Sequence, residues 1–374
     1  MSGSLKNMSS WQSAIPSDYT LPMMVMPGSH DAGLSDEHSN TGVQKSNSVV
    51  TQNLSIGQQC LAGSRFFDLR FDDGSMRTFH APKTWLITLL GGLGQGVKSI
   101  ASEISEFLAK HPTEVLLLRV SKSGKKSVRE LQTQLGKHLY KASGNLCKVP
   151  LKDLRGKALL VWDKATDSDQ LDGVHPYTKY KGGASGSKGI VMCGAYSNSK
   201  SLETVIEKQR AHIWEHLNHP EPESHIFVLY WTQTFNIKEG FKKKNLNSDI
   251  AGFSFDGEKG VGNNIDKLLE LAKTGDKMNL DPKHVKALPG LKRLVEKERL
   301  PDMLLPGMAP IKRPNVVFYD FVNVDTSQKI VALNAANGRR RAMAMTQDDL
   351  VELARISGIP AEQVADYLTG PWNP

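Results

Sequence analysis

Two histidines, one arginine and a set of carboxylates each lie at the end of a short apolar run. Met26-Pro27-Gly28-Ser29-His30-Asp31-Ala32-Gly33 reads as a strand running into a glycine-rich turn that presents His30 and Asp31. In Arg65-Phe66-Phe67-Asp68-Leu69-Arg70, strand alternation puts Asp68 and Arg70 on one face. A carboxylate and a guanidinium inside a barrel must be paired. They read either as a structural ion pair or as an arginine held by a carboxylate and aimed at a phosphate. Asp72-Asp73-Gly74-Ser75 is a turn signal, so Met76–His80 forms a hairpin-like excursion that returns His80 to the same mouth. Two imidazoles and a guanidinium at one place suit cleavage of a phosphodiester. A neutral histidine takes a proton from the attacking hydroxyl and a charged one protonates the leaving oxygen, each worth ~10²–10⁴-fold. The arginine stabilises charge on the phosphoryl oxygens.

The elements that must position these groups are short apolar runs bounded by turn residues, the pattern of buried parallel strands. They are Leu21–Met26, Arg65–Arg70, Val115–Val120, Ala158–Trp162, Gly189–Cys193, Ile226–Trp231 and Val316–Phe321. Helical spacing separates them, at Ile100–Leu108, Ser127–Leu139, Ser201–Leu217 and Asn264–Ala272. Strands alternating with helices predict a parallel α/β fold, and seven or eight such units point to a barrel. Ser35–Val49, Asp167–Lys188 and Leu304–Pro314 read as loop-rich, and Tyr180–Lys188 as a mobile loop. Arg339–Arg341 reads as a basic break. Beyond it, Thr346 to Leu368 reads as two short helices, so we divide the chain into a barrel over 1–335 and a helical appendage over 336–374.

The 374 residues carry a net charge of +8, which favours an anionic partner. Cys60, Cys147 and Cys193 fit neither a disulfide framework nor a zinc site by spacing and read as buried free thiols. No leader-like apolar stretch and no membrane-spanning run is visible. The expectation is a protein cytoplasmic when made, or one exported by a leaderless route. No zinc-finger, RRM-type or helix-turn-helix signature supports a nucleic-acid role.

"MPGSHDAG" at 26–33, "TQNLSIGQQCLAGSRFFDLRF" at 51–71 and "RTFHAP" at 77–82 together resemble the bacterial phosphatidylinositol-specific phospholipases C and the wider PLC-like phosphodiesterases. The resemblance runs from Trp11 to about Ala332, with support from "EFLAKHPTEVLLLRV", "LRGKALLVW" and "PNVVFYDFVN". It implies a distorted (β/α)₈ barrel, a monomer, and release of diacylglycerol with formation of an inositol cyclic phosphate. It implies His30 as general base oriented by Asp320, and His80 as general acid partnered by Asp31. Arg70 becomes the phosphate-contacting arginine, with Asp68 beside it. The calcium-dependent relatives need several oxygen ligands. Here Arg70 supplies a fixed cation at that place, so we expect no metal and no cofactor.

The head-group-reading positions depart from the family. Lys122 would serve only if the register shifts by one, Asp163 lies near the place of an arginine, and the sixth strand offers Tyr230, Trp231, Thr232 and Gln233. Lys122, Asp163 and Trp231 are the candidate substrate contacts. Reaction type is therefore safer than substrate. The alternatives are a glycosylated inositol lipid, a sphingolipid, a glycerophosphodiester, or a non-catalytic phosphoinositide-binding module. Trp85, Leu86, Ile87, Leu89 and Leu90 read as core packing or as lipid contact, core packing being favoured. His212-Ile213-Trp214-Glu215-His216 matches H-x-x-E-H, which allows zinc on a shared helix face. With no distant third carboxylate, histidines on a solvated helix are the favoured reading.

Overall fold

Val115–Val120 and Ile226–Trp231 bury every side chain, as parallel strands do when one face meets a filled interior and the other meets helices. The structure, a computed structural model, describes residues 8–35, 50–80, 92–166, 171–179, 188–199, 201–217, 224–232, 264–272 and 313–341. Its strands in chain order are β1 (Met26–Ser29), β2 (Phe66–Leu69), β3 (Phe71–Asp72), β4 (Arg77–His80), β5 (Gly92–Gly96), β6 (Val115–Val120), β7 (Lys157–Trp162), β8 (Val174–Lys179), β9 (Ile190–Cys193), β10 (Ile226–Trp231) and β11 (Val316–Tyr319). Eight of them close a barrel in the order β1-β2-β6-β7-β8-β9-β10-β11, with β11 pairing back onto β1. Every neighbouring pair is parallel. The expected TIM-type barrel is thus the fold. The remaining strands form a small antiparallel sheet, β3-β4-β5, beside it.

Alternation sorts the side chains. Phe66, Leu117, Val161, Tyr177, Met192, Val228 and Phe318 fill the interior. Phe67, Leu118 and Leu160 face outward against the helices α1 (Ile56–Leu61), α2 (Val97–Lys110) and α3 (Lys125–Leu135). After the short α4 (Leu151–Leu154), the helices α5 (Leu202–Leu217), α6 (Ile265–Ala272) and α7 (Val324–Arg341) include residues that cover the outer faces of β10 and β11. Ser55 starts α1 with a capping box, its hydroxyl accepting from the Gln58 N–H while the Gln58 side chain accepts from the Ser55 N–H.

At the base of β2, Arg65 is fully buried and satisfied. It pairs with Glu114 at 2.7 Å and donates to the carbonyls of Cys60, Ser64, Met8 and Ser9. Trp11 and Phe107 lie against its guanidinium.

Three expectations change. Leu21–Met26 is not one strand: Pro22 starts a 3-10 turn over Leu21–Met23, where its missing N–H is harmless, and β1 begins at Met26. Val316–Phe321 ends as a strand at Tyr319, and Phe321 takes a left-handed φ of 54°. The stretch expected as loop over Asp167–Lys188 contains β8, whose proline and polar residues hide it from an apolar-run template. Pairing of β8 with β9 starts only at Tyr177, one residue beyond Pro176.

Arg339–Arg341 forms the last turn of α7, which runs past residue 335. The helix pair expected over 346–368, the Trp85–Leu90 segment and most of the Tyr180–Lys188 loop lie outside the described residues. All three cysteines are buried and none is in a disulfide, and burial pushes the Cys60 thiol up to about 12. Among the described residues no helix is long and apolar enough to cross a membrane.

Candidate active site

The pairing of β1 with β11 puts Ser29 opposite Tyr319, so the next residues, His30 and Asp320, emerge together at the carboxyl end of the barrel. His30 Nδ1 and Asp320 Oδ1 are 2.7 Å apart. An ionised carboxylate can only accept, so Nδ1 carries the proton and Nε2 keeps its lone pair. Asp68 and Arg70 emerge from β2 at the same end. The Phe79 N–H donates to the Arg70 carbonyl at 2.9 Å, which swings β4 back over the mouth and delivers His80. A side chain at Gly33 would collide with Thr78 of β4. Glycine there lets β4 lie close on the His30 loop, with the Thr78 hydroxyl donating to the Gly33 carbonyl at 3.0 Å.

Asp31 is the hub. Its Oδ2 accepts from His80 Nδ1 at 2.8 Å and lies 3.5 Å from His30 Nε2. Its Oδ1 lies 3.0 Å from Arg70 Nε, misaligned for a hydrogen bond, so that contact is one of charge. Arg70 also donates to Asp68 Oδ2 at 3.0 Å and to the Tyr196 hydroxyl at 3.3 Å. Asp31 adopts a left-handed φ of 39°, which aspartate tolerates better than most residues and which holds its carboxylate between the two rings. Side-chain exposure rises from 1% at Asp31 to 14% at His30 and 32% at His80, so His80 is on the solvent side of the pair.

Electrostatics follow the contacts. Burial alone would lower the His30 pKa, but the facing Asp31 and Asp320 charges prevail and hold it above the ordinary 6.5. Burial would raise Asp31, but Arg70, His30 and His80 hold its carboxyl well below the usual range. Burial likewise opposes ionisation of Asp68, which Arg119 and Arg70 keep low.

The loop carrying the first histidine is clamped from below. The Gln52 amide donates to the His30 carbonyl at 2.9 Å, and its Oε1 accepts from the Val322 N–H at 2.9 Å. Gln59 donates to the Ala32 carbonyl at 2.8 Å.

The structure brings together six of the expected residues: His30, Asp31, Asp68, Arg70, His80 and Asp320. The candidate substrate contacts fare differently. Trp231 packs in the outer cluster with Leu229 and Tyr319, because alternation turns its neighbour Tyr230 inward. It is not at the mouth. Lys122 has a left-handed φ of 55°, and its N–H donates to the Asp163 carboxylate at 3.2 Å. These two residues are at the rim.

Sequence reasoning missed Arg119 and Tyr196. Arg119 is buried beneath the site, 3.0 Å from Asp68 and 2.7 Å from the Tyr230 hydroxyl. A lone cation in the apolar run Val115–Val120 was the available signal, since a buried charge demands a partner. Tyr196 follows β9 with no such signal, and its ring lies 5.5 Å from that of His30.

An eight-stranded parallel barrel with a histidine–carboxylate centre at the carboxyl ends of its strands is the class that fold and site define. No protein-family model matches the chain. A curated relative, the 1-phosphatidylinositol phosphodiesterase of Listeria monocytogenes, is 28% identical over 165 residues, 42% of this chain and 49% of that protein. The chain thus spans about half the length of the curated relative it matches. The solved phosphatidylinositol-specific phospholipase C of Listeria monocytogenes superposes with a TM-score of 0.53 at 17% identity, covering 87% of this chain and 98% of that one. That of Staphylococcus aureus superposes with a TM-score of 0.51 at 16% identity, with the same coverage. The chain is phosphatidylinositol-specific phospholipase C-like, in sequence over the matched residues and in fold over most of its length.

Proposed function

We propose that the chain is a metal-independent phosphodiesterase that cleaves a phospholipid to diacylglycerol and a cyclic phosphorylated head group. The observation that carries this reading is Asp31: one carboxylate joins both histidines and the arginine, so base, acid and cation address a single phosphorus. A head-group hydroxyl next to the phosphate gives its proton to His30 Nε2 and attacks phosphorus, closing the cyclic ester. The bond from phosphorus to the diacylglycerol oxygen breaks, and that oxygen takes a proton from His80 Nε2. Asp320 stabilises the imidazolium that forms on His30, the role of the buried carboxylate in other histidine-based sites. Arg70, held by Asp31 and Asp68, meets the phosphoryl oxygens with a preorganised charge. The carboxylates that could attract calcium already carry Arg70 and Arg119, and calcium needs roughly six to eight oxygens.

Release of a water-soluble phosphorylated head group from phosphatidylinositol vesicles tests this. Turnover is expected without added calcium and unaltered by adding it, and to fall by ~10²–10⁴-fold in His30→Ala and in His80→Ala. Unchanged function in both variants would make the chain a binding module instead. Strict dependence on calcium would remove the metal-free mechanism.

The position of Trp231 favours a second reading of the substrate. Of the three candidate contacts only Lys122 and Asp163 meet at the rim, and the family's own ring-reading residues are replaced here, so a different head group, such as a glycosylated inositol, fits the same chemistry. A panel of head groups decides. Turnover of lipids lacking a hydroxyl beside the phosphate would rule out cyclisation.

A further inference from the structure

Three side chains that the proposed chemistry leaves unused meet behind the barrel wall. Cys193 ends β9, His216 lies in the last turn of α5, and His225 immediately precedes β10. The thiol sulfur and one nitrogen from each ring all lie within 4.8 Å of one another. All three residues are buried, at 4%, 1% and 0% exposure, in a region lined by Ile213, Phe227 and Leu229. His216 Nδ1 and His225 Nε2 are 2.7 Å apart with their rings nearly perpendicular, at 85°. The His216 ring also stacks on Phe227 at 4.9 Å, which fixes its orientation. Here the expectation for the helix is corrected: His216 is not on a solvated face, and it meets Cys193 and His225.

One thiol and two imidazoles are the donor set of borderline transition metals. With bonds of ~2.0–2.1 Å to nitrogen and ~2.3 Å to sulfur, tetrahedral zinc holds its ligands roughly 3.3–3.6 Å apart. The histidine nitrogens, 2.7 Å apart, would have to open by about 0.6–0.7 Å to seat an ion, and the thiol sulfur lies within 4.8 Å of both rings. Among the described residues no fourth carboxylate, thiol or imidazole joins the group within the same distance. Cys193 pairs with Phe227, the second residue of β10, and His225 immediately precedes that strand, so the group lies at the amino end of β10. That end is opposite the catalytic mouth, where barrel residues serve stability rather than chemistry.

We propose that Cys193, His216 and His225 bind one zinc-class divalent ion that ties α5 to β9 and β10, a structural site separate from the phosphate-handling centre. Water completes the coordination shell. Binding displaces the thiol proton, so affinity falls as pH is lowered.

The test is titration of metal-free, full-length protein with cobalt(II). A thiolate-to-cobalt absorption saturating at one equivalent is expected, displaced by zinc and lost in Cys193→Ser. His30→Ala must keep it, since His30, Asp31 and Asp68 form the other cluster whose ligand atoms converge. Zinc should raise the melting temperature of the wild type and not of Cys193→Ser. His225→Gln, which preserves a hydrogen-bonding partner for His216, should weaken binding by at least about tenfold. Absence of the thiolate band, its persistence in Cys193→Ser, or a melting temperature indifferent to zinc would overturn the proposal. Each outcome is read without any lipid substrate and so stands apart from the phosphodiesterase reading.

Discussion

At Asp31 a single carboxylate faces Arg70, His30 and His80, and this crowding sets the pH behaviour of the site. The raised pKa of His30 has a definite sign. A base must be deprotonated to act, so the acid limb of kcat/KM should have its midpoint above 6.5. Asp320→Asn removes one of the two charges that raise that pKa, so the midpoint should move down. Plateau turnover should fall by roughly 10²–10⁴-fold, because the amide no longer enforces the tautomer or stabilises the imidazolium. A pH–rate profile of the two proteins reads both effects. A midpoint that stayed put or rose would contradict the pairing of His30 with Asp320.

At the scale of elements, the antiparallel hairpin β3–β4 is what turns two separate histidines into a pair. Gly33→Ala would push a methyl group into Thr78 and pry β4 off the His30 loop. Turnover should drop at least tenfold with the barrel intact by circular dichroism. Adding Thr78→Ala should restore part of it, a non-additivity that reports contact. Arg65 belongs to another kind of element, the sealed base of β2. Arg65→Ala leaves Glu114 buried and uncompensated and should cost about 3–5 kcal/mol in urea unfolding, with turnover per folded molecule preserved.

These elements were unevenly legible. The mostly apolar strands β6 and β10 are legible to the residue, and i, i+2 spacing places Asp68 with Arg70. β8 escaped because Pro176 and its polar neighbours break the apolar pattern. Trp231 was misplaced because two adjacent aromatics on one strand face opposite ways, and only register tells which one points inward. The meeting of Cys193 with His216 and His225 depends on how α5 docks, which no local spacing reports.

For the molecule as a whole, excess positive charge is the property that bears on meeting a bilayer. The net charge of +8 should draw the protein to anionic vesicles. Attraction of this kind is screened over a Debye length of about 8 Å at physiological salt. Turnover on anionic vesicles should therefore decline as salt is raised, whereas turnover of a soluble short-chain substrate should hold steady. Equal salt dependence for both would place the charge effect in the catalytic centre instead of on the approach to the membrane.

The bond between His30 and Asp320 spans 290 residues, and its partner strands are the first and the last staves of the barrel. While the chain is being synthesised, the proposed base His30 has no Asp320 carboxylate beside it until that final stave is made and docks. On the proposed mechanism, the catalytic centre is therefore complete only after the last stave has closed the barrel.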